Sequence, residues 1–292
     1  MPRKTLESRR RSKRLKDQVL EKEPEVEEEV SQPKEYLLLT PRNPIRGSAR
    51  GLRSSRAGGI EEEEEEKEEE EVHPLRLKLN GVDAEVYVSS APPSLCASGR
   101  TTDLDAILSI IDDAQKFVFI SVMNLLPLCQ YCNPPRFWPA IDDRLREAAC
   151  QRDVSVRLLI SCWEHSDRSM FVYLKSLSVL SEEPLKCPIQ VRIFKVPATE
   201  KQKKIPFSRV NHNKYMVTDR IAYIGTSNWS EDYFINTAGV GLIINQTGAA
   251  TNSPGTAQSQ LKAVFERDWN SDHALELGSA DVKGCLHHRE GV

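Results

Sequence analysis

Between residues 61 and 71 the chain reads Glu at every position except Lys67. No packed element accommodates that run, because its charges repel one another and it offers no apolar surface to offset the entropy of ordering. The run therefore divides the chain. Upstream lies a basic cluster (Arg9, Arg10, Arg11, Lys13, Arg14, Lys16), followed by segments broken by Pro and Gly. All four Trp and all eight Phe fall downstream. Residues 1–74 hold 16 Lys and Arg against 19 Asp and Glu, which leaves 24 of each sign for the rest and a net charge of -3 over 292 residues. That balance argues against a strongly basic nucleic-acid wrapper. We expect residues 1–74 to be a disordered charged tail and residues 75–288 to form the folded domain, long enough to bury a substantial core. The basic cluster reads as a solvated tail or as a polyanion-binding or nuclear-localisation signal. No apolar segment follows it, and the run Phe117–Leu126 is far shorter than the roughly 18–20 residues a spanning helix needs. No signal, anchor or transmembrane segment is therefore expected.

Downstream, the periodicity alternates. Leu75–Leu79 and Ala84–Val88 flank Asn80-Gly81 as a strand pair. Leu104, Ile107, Leu108, Ile111 and Ala114 recur at helix spacing within Thr101–Lys116, with Thr101 or Thr102 as N-cap. Phe117–Met123 is a continuous apolar strand of the kind buried on both faces. Further helices are expected over Trp138–Ala149, Ser166–Leu180 and Gln258–Trp269. Further strands are expected over Val154–Ser161, Ile189–Val196, Lys214–Val217, Ile221–Ile224 and Val240–Asn245. Alternation of this kind predicts an α/β fold, helices flanking one sheet.

The cysteines give a mixed signal. Cys129 and Cys132 form a C-x-x-C with no second pair at zinc-ribbon spacing, so thiols or an ordinary disulfide are expected rather than a metal or redox centre. Asn245-Gln246-Thr247 is a glycosylation sequon.

Chemistry concentrates in Asn211–Ser230. His212 and Lys214 are two apart, so on an extended segment both leave the same face. A neutral imidazole beside an ammonium suits attack on a phosphoryl group, the nitrogen as nucleophile and the cation holding anionic oxygens. Asp219 lies just past the strand, where a carboxylate can return by a turn to support the site. Gly225, Thr226, Ser227 and Asn228 follow the next strand and offer close backbone approach with hydroxyl and amide donors. An isolated His-x-Lys is more often a packed histidine and a strand-edge charge. The joint pattern H-x-K-x-x-x-x-D followed by G-x-x-N is rarer and points to phosphodiester chemistry.

That pattern resembles the phospholipase D superfamily. The flanking words Ser89-Ser-Ala-Pro-Pro, Arg136–Asp143, Val156–Trp163, Val210–Ser230 and Phe265–Trp269 resemble its animal branch, that of the third and fourth mammalian phospholipase D paralogues, which are endolysosomal 5′-to-3′ exonucleases on single-stranded DNA and RNA. The resemblance runs from about Leu75 to about Cys285 and covers the C-terminal half of the family's catalytic module. It implies a two-step reaction without metal or cofactor: one motif's histidine attacks phosphorus to give a phosphohistidine, the other motif's histidine protonates the leaving oxygen, and water releases the product. Here His212, Lys214, Asp219 and Asn228 would be catalytic, Asp219 by supporting the histidine or the local geometry, with Lys214, Gly225, Thr226, Ser227 and Asn228 binding substrate. Which histidine is nucleophile stays open. The resemblance also implies a Cys162–Cys285 disulfide and an endoplasmic-reticulum or lysosomal lumen, and in the secretory pathway the Asn245 sequon would be a glycan acceptor. The charged N-terminus gives the chain no route there, which leaves a cytoplasmic or nuclear location, or a truncated chain, as the alternatives. His165, in Cys162–Ser166, is a branch feature near the substrate groove or a structural residue.

A second H-x-K is absent: His73, His165, His273, His287 and His288 all lack the lysine two residues on. Where the family has a membrane anchor and first motif, this chain has its charged tail. Two outcomes are expected. A homodimer brings two motifs together across a two-fold axis, or the chain is a truncated half-module serving as an interaction protein. Either way, the half-module should expose an apolar face where its partner half would pack. Phospholipid hydrolysis or phosphatidyl transfer is the alternative chemistry for the same intermediate.

Overall fold

A computed structural model describes residues 74–163, 165–246, 255–279 and 282. All of these lie within one unit, 65–292. The expected tail and Cys285 fall outside the described residues.

The elements in order are β1 (Leu75–Leu79), β2 (Val82–Ala91), α1 (Asp103–Asp113), β3 (Phe117–Val122), β4 (Leu128–Cys129), β5 (Arg136–Phe137), α2 (Ala140–Arg152), β6 (Ser155–Ser161), α3 (Arg168–Ser178), β7 (Ile189–Phe194), β8 (Lys214–Thr218), β9 (Ile221–Gly225), α4 (Glu231–Ile235), β10 (Gly239–Asn245), α5 (Ala257–Trp269) and β11 (Ala274–Glu276). Among the described residues, nine strands form one sheet in the order β1-β2-β10-β9-β8-β3-β6-β7-β11, and β4 pairs with β5 apart from it. β3, β6 and β7 run parallel and the other neighbours antiparallel. The mixed α/β architecture expected from the alternation is the one observed.

The central strands are apolar on both faces because both are covered. Val118, Ile120 and Val122 of β3 join Val156, Leu158 and Ile160 of β6 in a large core with α1, α2 and α3. The alternate residues Phe119, Leu159, Tyr215 and Val217 meet Phe265 and Trp269 of α5 on the other side. Phe119 stacks on Phe265 at 4.9 Å, and the Arg157 guanidinium sits over Phe119. α1 starts where its cap directs, the Thr102 hydroxyl accepting from the Asp105 amide at 3.2 Å.

α5 leaves part of its face bare. Val88 of β2, Leu242 of β10 and Ile224 of β9 stand opposite one another. They are 43%, 37% and 47% exposed, and Val240 beside them is 50% exposed. These four side chains form an exposed apolar row.

Two disulfides join described cysteines. Cys129–Cys132 closes the C-x-x-C. Cys150–Cys187 ties the last turn of α2 to the segment entering β7, 37 residues on, which constrains the unfolded chain by about 4 kcal/mol in the chain-entropy account. Nothing in the spacing pointed to that second pairing. Cys162 is also disulfide-bonded, and Cys96 is free.

Candidate active site

The parallel strands β3, β6 and β7 end on the same edge of the sheet from which β8 begins. In open α/β sheets this edge carries ligands, because the connections diverge there. His212 sits just before β8, exposed, and Lys214 opens β8 with only 6% of its surface exposed. The stretch Met123–Leu126, continuing beyond β3, holds both arms of the motif. The Met123 amide donates to the Asn213 carbonyl at 2.9 Å, the Trp229 amide donates to Asn124 at 2.9 Å, and the Leu126 amide donates to Trp229 at 2.8 Å. Trp229 is fully buried and anchors the second arm, so Asn228 and the His212–Lys214 pair are set on neighbouring segments. On the other side, the Ser161 hydroxyl donates to the Asn211 carbonyl at 2.5 Å.

Burial lowers the Lys214 ammonium to about 8, and the ammonium donates to the His212 carbonyl at 3.1 Å. His212 is lowered too, first by burial and then by the Lys214 charge. At neutral pH the site thus presents a neutral imidazole beside a cation, as nucleophilic or acid–base work on a phosphoryl group requires. Asn228 is 4% exposed, and its Oδ1 makes no hydrogen bond among the described residues. The same holds for Asn124 Oδ1, Asn211 Nδ2 and Ser230 Oγ. Buried polar atoms are normally paired, so this edge offers a set of donors and acceptors to a polar ligand.

The other expected site residues divide. Gly225 ends β9 at this edge; a Cβ there would collide with the Tyr223 hydroxyl. Thr226 is committed to a latch with Val240, accepting from its amide at 3.0 Å and donating to its carbonyl at 3.3 Å. Ser227 turns inward toward Asp103, close enough to favour that carboxylate without forming a hydrogen bond. Asp103 went unnoticed in the sequence. It is fully buried in α1, accepts from Ser89 at 2.7 Å and Tyr223 at 2.9 Å, and has a raised pKa, chiefly through burial. This cluster underlies the turn that carries Asn228. A Cβ on Gly241 would strike Asp103, Ser89 and Tyr223 together, so β10 can pass over it only as glycine.

Asp219 does not reach the motif. It lies at the far end of β8, five residues and about 16 Å from Lys214. Its carboxylate accepts from the backbone amides of Gln115 and Lys116 at 3.0 Å each and of Phe117 at 3.4 Å. It fastens the α1–β3 turn instead of returning to the histidine. Asp219→Ala should therefore lower unfolding free energy by about 1–3 kcal/mol and leave the hydrolysis rate per folded molecule unchanged, as read by denaturant titration beside kinetics. A rate falling in step with His212 variants would return Asp219 to the site.

Past the motif, Asp232 accepts from the amides of Gln130 at 2.8 Å and Tyr131 at 3.2 Å, and Glu231 pairs with Arg136. Cys129, Cys132 and Glu231 form the one group with metal-ligand proximity among the described residues. The disulfide removes both thiolates and Arg136 occupies the carboxylate, so the group does not fit a metal. Asn245 closes β10 opposite Ile221 and Glu85, with Thr247 outside the described residues. Cys162 lies buried at the end of β6. No helix among the described residues is long and apolar enough to cross a membrane.

Residues 68–199 match a family model described as "PLD3/4, PLD-like domain", a match that stops short of His212. A "5'-3' exonuclease PLD3" of Xenopus laevis is 59% identical over 206 residues, 70% of this chain and 42% of that protein. The Homo sapiens protein of that name is 52% identical over 212 residues, covering 72% and 42%. A "5'-3' exonuclease PLD4" of Mus musculus is 50% identical over 206 residues, covering 70% and 41%. The chain thus spans about two-fifths of the length of the curated relatives it matches. Among solved structures, NucT from Helicobacter pylori aligns with a TM-score of 0.46 at 15% identity, covering 66% of this chain and 99% of that one. Nuc from Salmonella typhimurium, a phospholipase D family member, aligns at 0.44 and 13%, covering 66% and 97%.

Proposed function

The chain carries a PLD-like domain of the PLD3/4 type, and from that premise we propose that it supplies half of a phosphodiesterase site of nuclease type, with 5′-to-3′ exonuclease action on single-stranded DNA or RNA. The observation that carries this reading is the neutral His212 imidazole set beside the buried Lys214 ammonium, whose donors suit an anionic phosphate. Lys214 Nζ and Asn228 Nδ2 donate to the phosphate oxygens. One imidazole nitrogen attacks phosphorus as the P–O bond to the leaving nucleotide breaks, and a second histidine protonates that oxygen. Water then attacks the phosphohistidine, giving up its proton to the second histidine and freeing the first.

One motif supplies one histidine, and in this reading a second module supplies the other. The exposed row Val88, Ile224, Leu242 and Val240 supports that pairing, because it abuts Gly225 and Gly239 at the motif edge and offers apolar surface for a second module to cover. The disulfides fit an oxidising compartment. There Cys162 would pair with Cys285, and Asn245 would be a glycan acceptor. Residues 1–74 remain outside the catalytic domain in this reading, as a charged tail.

The test is specific activity against protein concentration, followed with light scattering and oligonucleotides labelled at either end. Activity should rise as dimer forms, survive chelators, and release nucleotides from the 5′ end. A fully active monomer would defeat the shared-site arrangement. Cleavage from the 3′ end would defeat the polarity.

A further inference from the structure

Three rings outside the motif gather at its edge of the sheet. Trp163 and His165 follow the end of β6, and Phe207 lies in the β7–β8 connection, five residues before His212. His165 and Phe207 stack with centroids 5.2 Å apart and planes 24° from parallel. Trp163 meets His165 edge-on at 4.6 Å and lies 6.3 Å from Phe207. Packing does not explain Phe207, which is 72% exposed. Its backbone sits at φ 55°, a left-handed conformation costing a bulky residue on the order of 1–2 kcal/mol. Arg209, two residues on, is left-handed as well at φ 59°, and its guanidinium donates to the Pro197 carbonyl at 2.6 and 3.0 Å. The connection thus has a defined shape that holds an aromatic ring out to solvent.

The same connection is cationic. From Lys195 to Lys214 the chain has six Lys and Arg and a single acid, Glu200, within a domain whose charges balance as a whole. Lys203 is paired with Glu200, whereas Lys201 and Lys204 make no ion pair among the described residues. The Ser161–Asn211 hydrogen bond joins the two segments two residues before Trp163 and one before His212, so the ring-bearing segment and the motif start from the same point of the sheet edge.

We propose that Phe207, stacked on His165 and backed by Trp163, is a platform on which an unpaired base of a single-stranded nucleic acid stacks, while the 195–209 connection follows the strand's phosphates toward His212. The proposal rests on the phosphodiesterase reading and deepens it: the substrate is chosen by having a base face to offer. Bases stacked within a duplex offer none, whereas every unpaired base does, so the platform selects single strands without reading sequence.

Phe207→Ala and Phe207→Trp in the full chain test this. Fluorescence anisotropy is measured with a labelled single strand, a duplex of equal length and an abasic strand carrying sugar and phosphate alone. Hydrolysis of a small base-free chromogenic diester is followed in parallel. Phe207→Ala should weaken single-strand binding about tenfold or more, Phe207→Trp should retain it, and abasic-strand binding and diester hydrolysis should match wild type. Unchanged single-strand binding by Phe207→Ala, or an equal loss on the abasic strand, overturns the platform even where the diester is cleaved. Base-dependent loss in a chain that cleaves neither substrate upholds the platform and defeats the phosphodiesterase reading.

Discussion

His212→Ala should reduce hydrolysis of a single-stranded oligonucleotide about 10³-fold or more while leaving the circular dichroism spectrum and melting temperature unchanged. The two halves of that expectation have separate causes. His212 is exposed and precedes β8, so its side chain contributes little to the core. Its ring is also the group in the described motif suited to bond phosphorus or pass a proton, and Lys214 cannot replace it because a protonated amine has no lone pair to attack or to accept a proton. Free imidazole added to the alanine variant should restore part of the rate, since the cavity left beside Lys214 admits it. Wild-type turnover by His212→Ala would remove the residue from the chemistry.

Lys214→Met should give opposite signs in two measurements. Loss of the fixed cation should lower turnover about 10²–10³-fold, the scale of one electrostatic donor to a developing charge. Folding stability near neutral pH should rise by roughly 2 kcal/mol, because burying the ammonium costs more than its one hydrogen bond to the His212 carbonyl returns. The sign follows from linkage. Lys214 is lowered in the folded chain from 10.5 to about 8. Between those values the unfolded chain binds more protons, so wild-type stability rises with pH there. The gap between variant and wild type should accordingly be widest below pH 8 and close as pH climbs toward 10.5. In the same range wild-type kcat/KM should fall, as the lysine loses the charge that holds phosphate. A methionine variant less stable than wild type at pH 7 would contradict the account.

How much of this was legible in the sequence depends on where each residue's partner lies. That His212, Lys214 and Asn228 would come to one edge of the sheet was legible because β8 and β9, beside which they lie, are neighbours in both sequence and space. α1 was legible because its apolar spacing and the Thr102 cap are local. For Asp219 the choice between the histidine and the local geometry was not legible: its partners are backbone amides about a hundred residues upstream, and amides leave no mark in a sequence. β2 was read only to Val88 because Ser89 and Ser90 look like the end of a strand. Ser89 is buried nonetheless, since Asp103 receives its hydroxyl, and β2 runs to Ala91. The Cys150–Cys187 bridge depends on how α2 packs beside β7, which spacing does not encode. β11 is too short for periodicity and exists because the edge of β7 is there to pair with it.

The pairing of β2 with β10 also sets a timetable for assembly. Val88 faces Leu242, a partner made more than 150 residues later, so the hairpin of β1 and β2 emerges from a ribosome long before the strand that receives it. The β3–β6–β7 block, whose contacts close over much shorter spans, can collapse first. The early hairpin must wait with its edge unpaired. Closing so long a loop is entropically costly and slow, and a waiting edge is the feature on which β proteins misassemble.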